Sequence, residues 1–267
     1  MQIYLVIFNT EGDGKMFNLK KKIVTCILGL TMALGLIPTI SVQAATVTQT
    51  TISNQAITAI AKLDKTKKTI VIDPGHNYGG DFGASSTIKG VTYNEVDLNM
   101  QVASKLKVEL EKRGYNVVMT RYDGEKPMID VIQSLKDRVI IANNAKADFF
   151  ISIHHNATTN MPEVKGIETY YSSAVQGDDF KGGAVLNKLE ISKKMATAIN
   201  DSIAKNLNLN NRGTKDSQLF IRSTNMPSII VEAGFITNED EAKRCADPIS
   251  QQKLAETIAD AIKANIK

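Results

Sequence analysis

The 267-residue chain reads as a single α/β domain in three layers, a mainly parallel sheet flanked by helices. Three observations predict it. Short apolar runs of strand character alternate with segments of helical period, an order that builds parallel sheets with helices on their faces. The leading run, Thr69-Ile-Val-Ile72, is nearly continuous in apolar residues before Asp73-Pro74-Gly75 breaks it, as a strand buried on both faces is. All three histidines, His76, His154 and His155, stand just past such a run, and ligands collect at the carboxyl ends of parallel strands.

The chain opens on a targeting signal. Lys20-Lys21-Lys22, the apolar stretch Ile23 to Ile37, Pro38 and Val42-Gln43-Ala44 supply the basic, hydrophobic and small-residue parts of a secretory peptide, with cleavage expected after Ala44. Met16 is then a better start than Met1, because residues 1–15 hold a second apolar run and two acidic residues that a signal does not need. The alternative, an uncleaved anchor, is disfavoured because the apolar run is shorter than the ~20 residues of a spanning helix. No stable membrane anchor is expected after cleavage, and the product should be secreted and associated with the cell wall. Cys26 falls in the signal without the small-residue context of a lipid site, which leaves Cys245 alone. Neither an internal disulfide nor a multi-cysteine metal site is therefore expected.

Residues 45–66 read as a polar linker, rich in Thr, Ser, Gln and Ala with no charge between Ala45 and Ala61. Residues 67–267 suit one domain, expected to be a monomer. The formal net charge of +4 is spread along the chain and gives no reason to expect a nucleic-acid partner. Its densest cluster after the signal, Lys62, Lys65, Lys67 and Lys68, reads as a solvated stretch with at most a weak pull toward an anionic wall.

Each element follows in order. After the Thr69 strand, Asn77 to Val91 carries Gly79, Gly80, Gly83 and Gly90 and reads as a loop. Tyr93 to Arg113 has a helical period, through Val96, Leu98, Met100, Val102, Ala103, Leu106 and Leu110, and stops at Gly114. Tyr115 to Thr120 returns as a strand, Ile129 to Ala147 as a helix, and Phe149 to Ile153 and Gly166 to Tyr171 as strands. A loop over Asp178 to Gly183 precedes a helix near Ala184 to Leu207. Gln218 to Ile221 and Ser228 to Val231 read as two more short strands, and Ile249 to Ile266 as the terminal helix.

The chemistry gathers at one rim of this sheet. Glu95 lies in the first turn of its helix, 19 residues after His76, where a carboxylate is also favoured by the helix dipole. Two imidazoles and a carboxylate are a ligand set of catalytic zinc, which keeps a fourth position for water. Spacing alone would equally allow an ordinary N-terminal helix glutamate. Glu232 ends the apolar Ser228-Ile-Ile-Val231 run, and an unpaired charge there would cost several kcal/mol. It needs a partner: a metal-bound water, or else the helix N-terminus it caps or the cation of a salt bridge. Asp73 could hold His76 through its second ring nitrogen or simply form the turn before Pro74-Gly75. Arg121 and Asp123 are expected to make a local ion pair.

Ile72-Asp-Pro-Gly-His76, Asn94-Glu95, Phe150-Ile-Ser-Ile-His-His-Asn-Ala157, Gly166-Ile-Glu-Thr-Tyr-Tyr171 and Val231-Glu-Ala-Gly-Phe-Ile-Thr-Asn238 together resemble, in order, the motifs of the zinc-dependent N-acetylmuramoyl-L-alanine amidases of type 3. The resemblance runs from about Lys68 to Lys267. It implies a Zn2+ cofactor and hydrolysis of the amide joining N-acetylmuramic acid to L-alanine in peptidoglycan. By residue, His76, Glu95 and the first histidine of His154-His155 match the metal ligands, and Glu232 matches the catalytic glutamate. The family usually has a small residue where His155 stands. Successive strand side chains point to opposite faces, so the metal position goes to His154, and His155 is expected as a cleft or surface residue. Two alternatives stay open: a zinc peptidase cutting the stem peptide, and an inactive wall-binding relative. Some relatives carry an extra helix that blocks the metal until a partner withdraws it. The matching connection here, Ser172 to Gly183, is too short for one, which implies an open site active without a partner. Amino-terminal sequencing of the secreted protein should find a chain beginning near Ala45, and residues 20–37 still attached would point instead to an anchor.

Overall fold

The computed structural model describes residues 52–173 and 187–266. Six strands form the central sheet: β1 (Thr69–Pro74), β4 (Asn116–Met119), β5 (Phe149–Asn156), β6 (Ile167–Tyr171), β7 (Asn211–Asp216) and β8 (Ser228–Phe235), with β2 (Ser85–Ile88) and β3 (Val91–Asn94) in a separate hairpin. The order across the sheet is β4-β1-β5-β8-β6-β7. β4, β1, β5 and β8 run parallel, whereas β6 is antiparallel to β8 and parallel to β7. The expected three-layer, mainly parallel α/β fold is therefore the observed one.

Alternation along the strands builds the layers. Ile70, Ile72, Ile151, Ile153, Ile229 and Val231 face one side, packing with Leu106 and Leu110 of α2 (Glu95–Lys112), Met195 and Ile199 of α4 (Lys188–Leu207), and Leu254 and Ile258 of α6 (Pro248–Asn265). Val71, Val118, Phe150 and Ile230 face the other, against Ala56 of α1 (Asn54–Ala61) and Ile141 of α3 (Val131–Asn144). The sheet is thus covered on both faces, which explains its continuous apolar runs. None of the described helices is long and apolar enough to cross a membrane.

Several segments differ from expectation. The stretch read as a spacer contains α1, whose Ala56 is buried in the second core. An eight-residue helix of this composition is marginal alone and exists through that packing. The glycine-rich stretch read as a loop holds β2, paired with β3 across the Lys89-Gly90 turn. Gln218 to Ile221 is no strand; Phe220–Ser223 is a 3-10 helix. The strand on this side is β7, an edge strand of sequence Asn-Arg-Gly-Thr-Lys-Asp, polar as edges often are. A further helix, α5 (Glu239–Ala246), starts at an Asn238 cap and places acids in its first turn and bases in its last. The expected signal, and all but the start of the Ser172 to Gly183 connection, lie outside the described residues.

Candidate metal centre

The end of β1 is held by a buried polar cluster. Asp73 accepts from the Thr120 hydroxyl at 2.5 Å, the Ser152 hydroxyl at 2.7 Å and Arg138 at 2.6 Å. Burial would raise the Asp73 pKa, but Arg138 and the two hydroxyls keep it below its usual value. Arg138 also donates to the carbonyls of Pro74 and His76. Arg121 is buried and donates to the carbonyls of Pro74, Gly75 and Val96, while Asp123 is exposed and caps Gly124. The expected Arg121–Asp123 ion pair is not formed, because Arg121 points inward to the carbonyls around the strand end. Asp73 likewise does not hold the His76 ring.

That ring is held by Asp81. His76 stands in the left-handed region at φ 69, a conformation that costs a non-glycine residue about 1–2 kcal/mol. Asn77 curls the following loop, its N–H donating to the Asp81 carbonyl and its side chain accepting from the Gly79 N–H. The loop returns Asp81 to His76 Nδ1 at 2.6 Å. His76 Nε2 then lies 3.0 Å from Glu95 Oε1. Burial would lower the His76 pKa, but Glu95 and Asp81 raise it to about 10.

Glu95 opens α2 at the point where the hairpin closes. Its N–H donates to the Ala84 carbonyl at 2.9 Å, and the Ala84 N–H donates to its Oε2 at 2.7 Å. The other oxygen, Oε1, accepts from the His155 N–H at 3.2 Å and meets His154 Nδ1 at 3.0 Å as well as His76. Burial works against its charge, yet the two imidazoles hold the Glu95 carboxyl well below the usual range.

His155 turns to the other face of β5, as strand alternation requires. It is not a cleft or surface residue: only 1% of it is exposed, and its Nδ1 lies 2.8 Å from Asn99 Oδ1 of α2. The Asn99 amide nitrogen is near the Gly75 carbonyl and Glu95 Oε1, so its oxygen is left to accept and His155 Nδ1 carries the proton. Burial lowers the His155 pKa to about 3, which keeps the ring neutral. Asp81, Asn99, Arg138 and Ser152 are the site residues that sequence reasoning missed. The first lies in a polar glycine-rich loop, and the others sit in apolar periods where nothing marks them.

His76, Glu95 and His154 are the one group of metal-ligating side chains that converges among the described residues, with ligand atoms within 4.8 Å of one another. Ligands about 2.0–2.1 Å from a tetrahedral ion lie roughly 3.3 Å apart, close to the 3.0 Å between each imidazole and Glu95. The backbone around them leaves no room for side chains. A Cβ on Gly75 would lie 2.3 Å from His154 Nε2, and one on Gly83 would lie 2.5 Å from Glu95 Oε2 and 2.8 Å from His76 Nε2. The donor set and its glycine cradle fit a small divalent cation. Glu232 stands directly opposite His154 in the β5–β8 register, and its Oε2 is buried without a partner among the described residues. Burial, and then the charge of Glu95, raise the Glu232 carboxyl well above its usual range.

Residues 70–264 match the family described as N-acetylmuramoyl-L-alanine amidase. The chain belongs to that family. Among its amidase relatives, the N-acetylmuramoyl-L-alanine amidase LytC of Bacillus subtilis is 33% identical over 194 residues, which span 72% of this chain and 34% of LytC. The crystal structure of an N-acetylmuramoyl-L-alanine amidase from Clostridium difficile 630 is similar with a TM-score of 0.61 and 34% identity, covering 74% of this chain and 96% of that one. The catalytic domain of the amidase CwlV from Bacillus (Paenibacillus) polymyxa gives a TM-score of 0.59 at 31% identity, over 74% and 97% of the two chains. This amidase-family domain thus spans only about a third of LytC. Metal analysis of His154→Ala should find far less than one divalent cation per chain. His155→Ala should keep the divalent cation near one per chain while losing about 1–3 kcal/mol of stability, because it strips a buried hydrogen bond from Asn99. The reverse pattern of metal content would move the ligand to His155.

Proposed function

We propose that this chain is a secreted zinc amidase that hydrolyses the bond between the lactyl group of N-acetylmuramic acid and L-alanine in peptidoglycan. The observation that carries the reading is the convergence of His76, Glu95 and His154 with Glu232 opposite His154 on the next strand. Family membership supplies the substrate class, and the basic and apolar segment from Lys20 to Ala44 supports export to the wall, where the domain acts as a monomer.

Bound by the two imidazoles and Glu95, zinc would supply a Lewis acid and lower the pKa of water to about 7. Glu232 is the general base. It takes the proton of the water that attacks the lactyl carbonyl and returns it to the departing L-alanine nitrogen. Burial and the charge of Glu95 raise the Glu232 pKa, which makes it a stronger base for the water's proton. Asp81 fixes the His76 ring through Nδ1 and leaves Nε2 for the cation. The Ala84 N–H holds Glu95 Oε2, which limits how the carboxylate can turn.

Glu232→Gln keeps the shape of the side chain and removes the base. It should retain zinc near one per chain while turnover falls by about 10²–10⁴-fold, read by release of soluble product from purified walls. Turnover at the wild-type level would overturn the role given to Glu232.

A further inference from the structure

The row of side chains that begins at His154 and Glu232 continues past them. β6 runs antiparallel to β8 and sets Glu168 directly opposite Glu232, and opposed residues of paired strands share a face. Glu168 is 2% exposed. Its Oε1 accepts from the Tyr170 hydroxyl at 2.7 Å and from Asn156 at 3.0 Å, and its Oε2 accepts from Lys215 Nζ at 2.6 Å and Arg212 Nε at 2.8 Å. Two cations of β7 therefore meet one carboxylate. One of them neutralises it, and Lys215 also faces Glu232, so Arg212 is the cation with hydrogen-bonding capacity to spare.

Both cations are poised rather than consumed. The Arg212 side chain is 32% exposed and that of Lys215 39% exposed. Arg212 lies over the Phe235 ring at 4.9 Å and Lys215 over the Tyr170 ring at 5.6 Å, contacts that hold the heads in place. Arg212 spends only Nε on Glu168, which leaves Nη1 and Nη2 without a protein partner among the described residues. That planar pair matches a carboxylate. Charges on an edge strand often serve only to deter pairing, but these two turn inward, onto the face that carries Glu232.

Reach defines what they can touch. Neighbouring strands lie about 4.8 Å apart, so β6 and β7 are one and two strands, roughly 5–10 Å, beyond Glu232. An extended peptide advances about 3.3–3.6 Å per residue and covers that span in two or three residues. We propose that Arg212 and Lys215 form a subsite for a free carboxylate of the stem peptide, two or three residues beyond the bond that is cut. The proposal rests on the amidase reading, and it makes the charge of the stem a determinant of specificity.

The test uses two soluble muropeptides that differ only in whether the stem carboxylates are free or amidated. Wild type should prefer the free acid by about tenfold in KM, as one charge-assisted contact allows. Arg212→Gln, which leaves Lys215 on Glu168, should abolish most of that roughly tenfold preference for the acid over the amide, and Arg212→Lys should keep much of it. Lys215 also lies in the electrostatic field of Glu232, so a loss falling equally on both substrates would assign these residues to the base and overturn the subsite. Absence of any preference in wild type would overturn it too. Calorimetry of the free stem peptide with the Glu232→Gln protein separates the two readings. Tighter binding of the acid than of the amide supports the subsite even where no amidase turnover is seen. Equal binding contradicts it.

Discussion

One carboxylate oxygen organises this site. Glu95 Oε1 stands 3.0 Å from both His76 Nε2 and His154 Nδ1, joining the loop after β1, the end of β5 and the first turn of α2. A buried carboxylate against two imidazoles is stable only while charge and geometry are matched, and every neighbouring feature serves that match. The hairpin returns the Ala84 N–H to the other oxygen, Asp81 orients His76, and Gly75 and Gly83 leave the space that side chains would fill.

Behind the three groups lies a second layer that keeps the strand end in place. His76 has a backbone conformation that a free chain would avoid, and its carbonyl is gripped by Arg138, whose own charge is balanced by Asp73. Losing one partner of a buried pair costs about 3–5 kcal/mol, more than the strain at His76. The ion pair can therefore hold that strain. On the α2 side, neutral His155 and Asn99 close the gap under Glu95. Two adjacent histidines thus do different work because a strand sends them to opposite faces.

Much of this was legible in the chain. The parallel strands were read from apolar runs that burial on both faces demands; His76, Glu95, His154 and Glu232 were picked out as candidates at strand and helix ends, and only the resemblance to the type 3 amidases gave them roles. What escaped reading has physical reasons. α1 and α5 are eight residues each, too short for a period to stand out. β7 carries its ladder on polar residues, because an edge strand needs no apolar pattern. The roles of Asp73, Asp81 and Arg121 depend on which loop returns to which ring. No local pattern encodes that: Asp73 and Asp81 are both close to His76 in sequence, and only the curl at Asn77 decides between them.

The central claim is that this geometry serves cleavage at the junction of glycan and peptide. Mass spectrometry of the fragments released from purified peptidoglycan tests it most directly. The account predicts intact stem peptides with a new L-alanine amino terminus and glycan strands stripped of peptide. Fragments cut between two amino acids of the stem, with L-alanine still joined to the sugar, would contradict it.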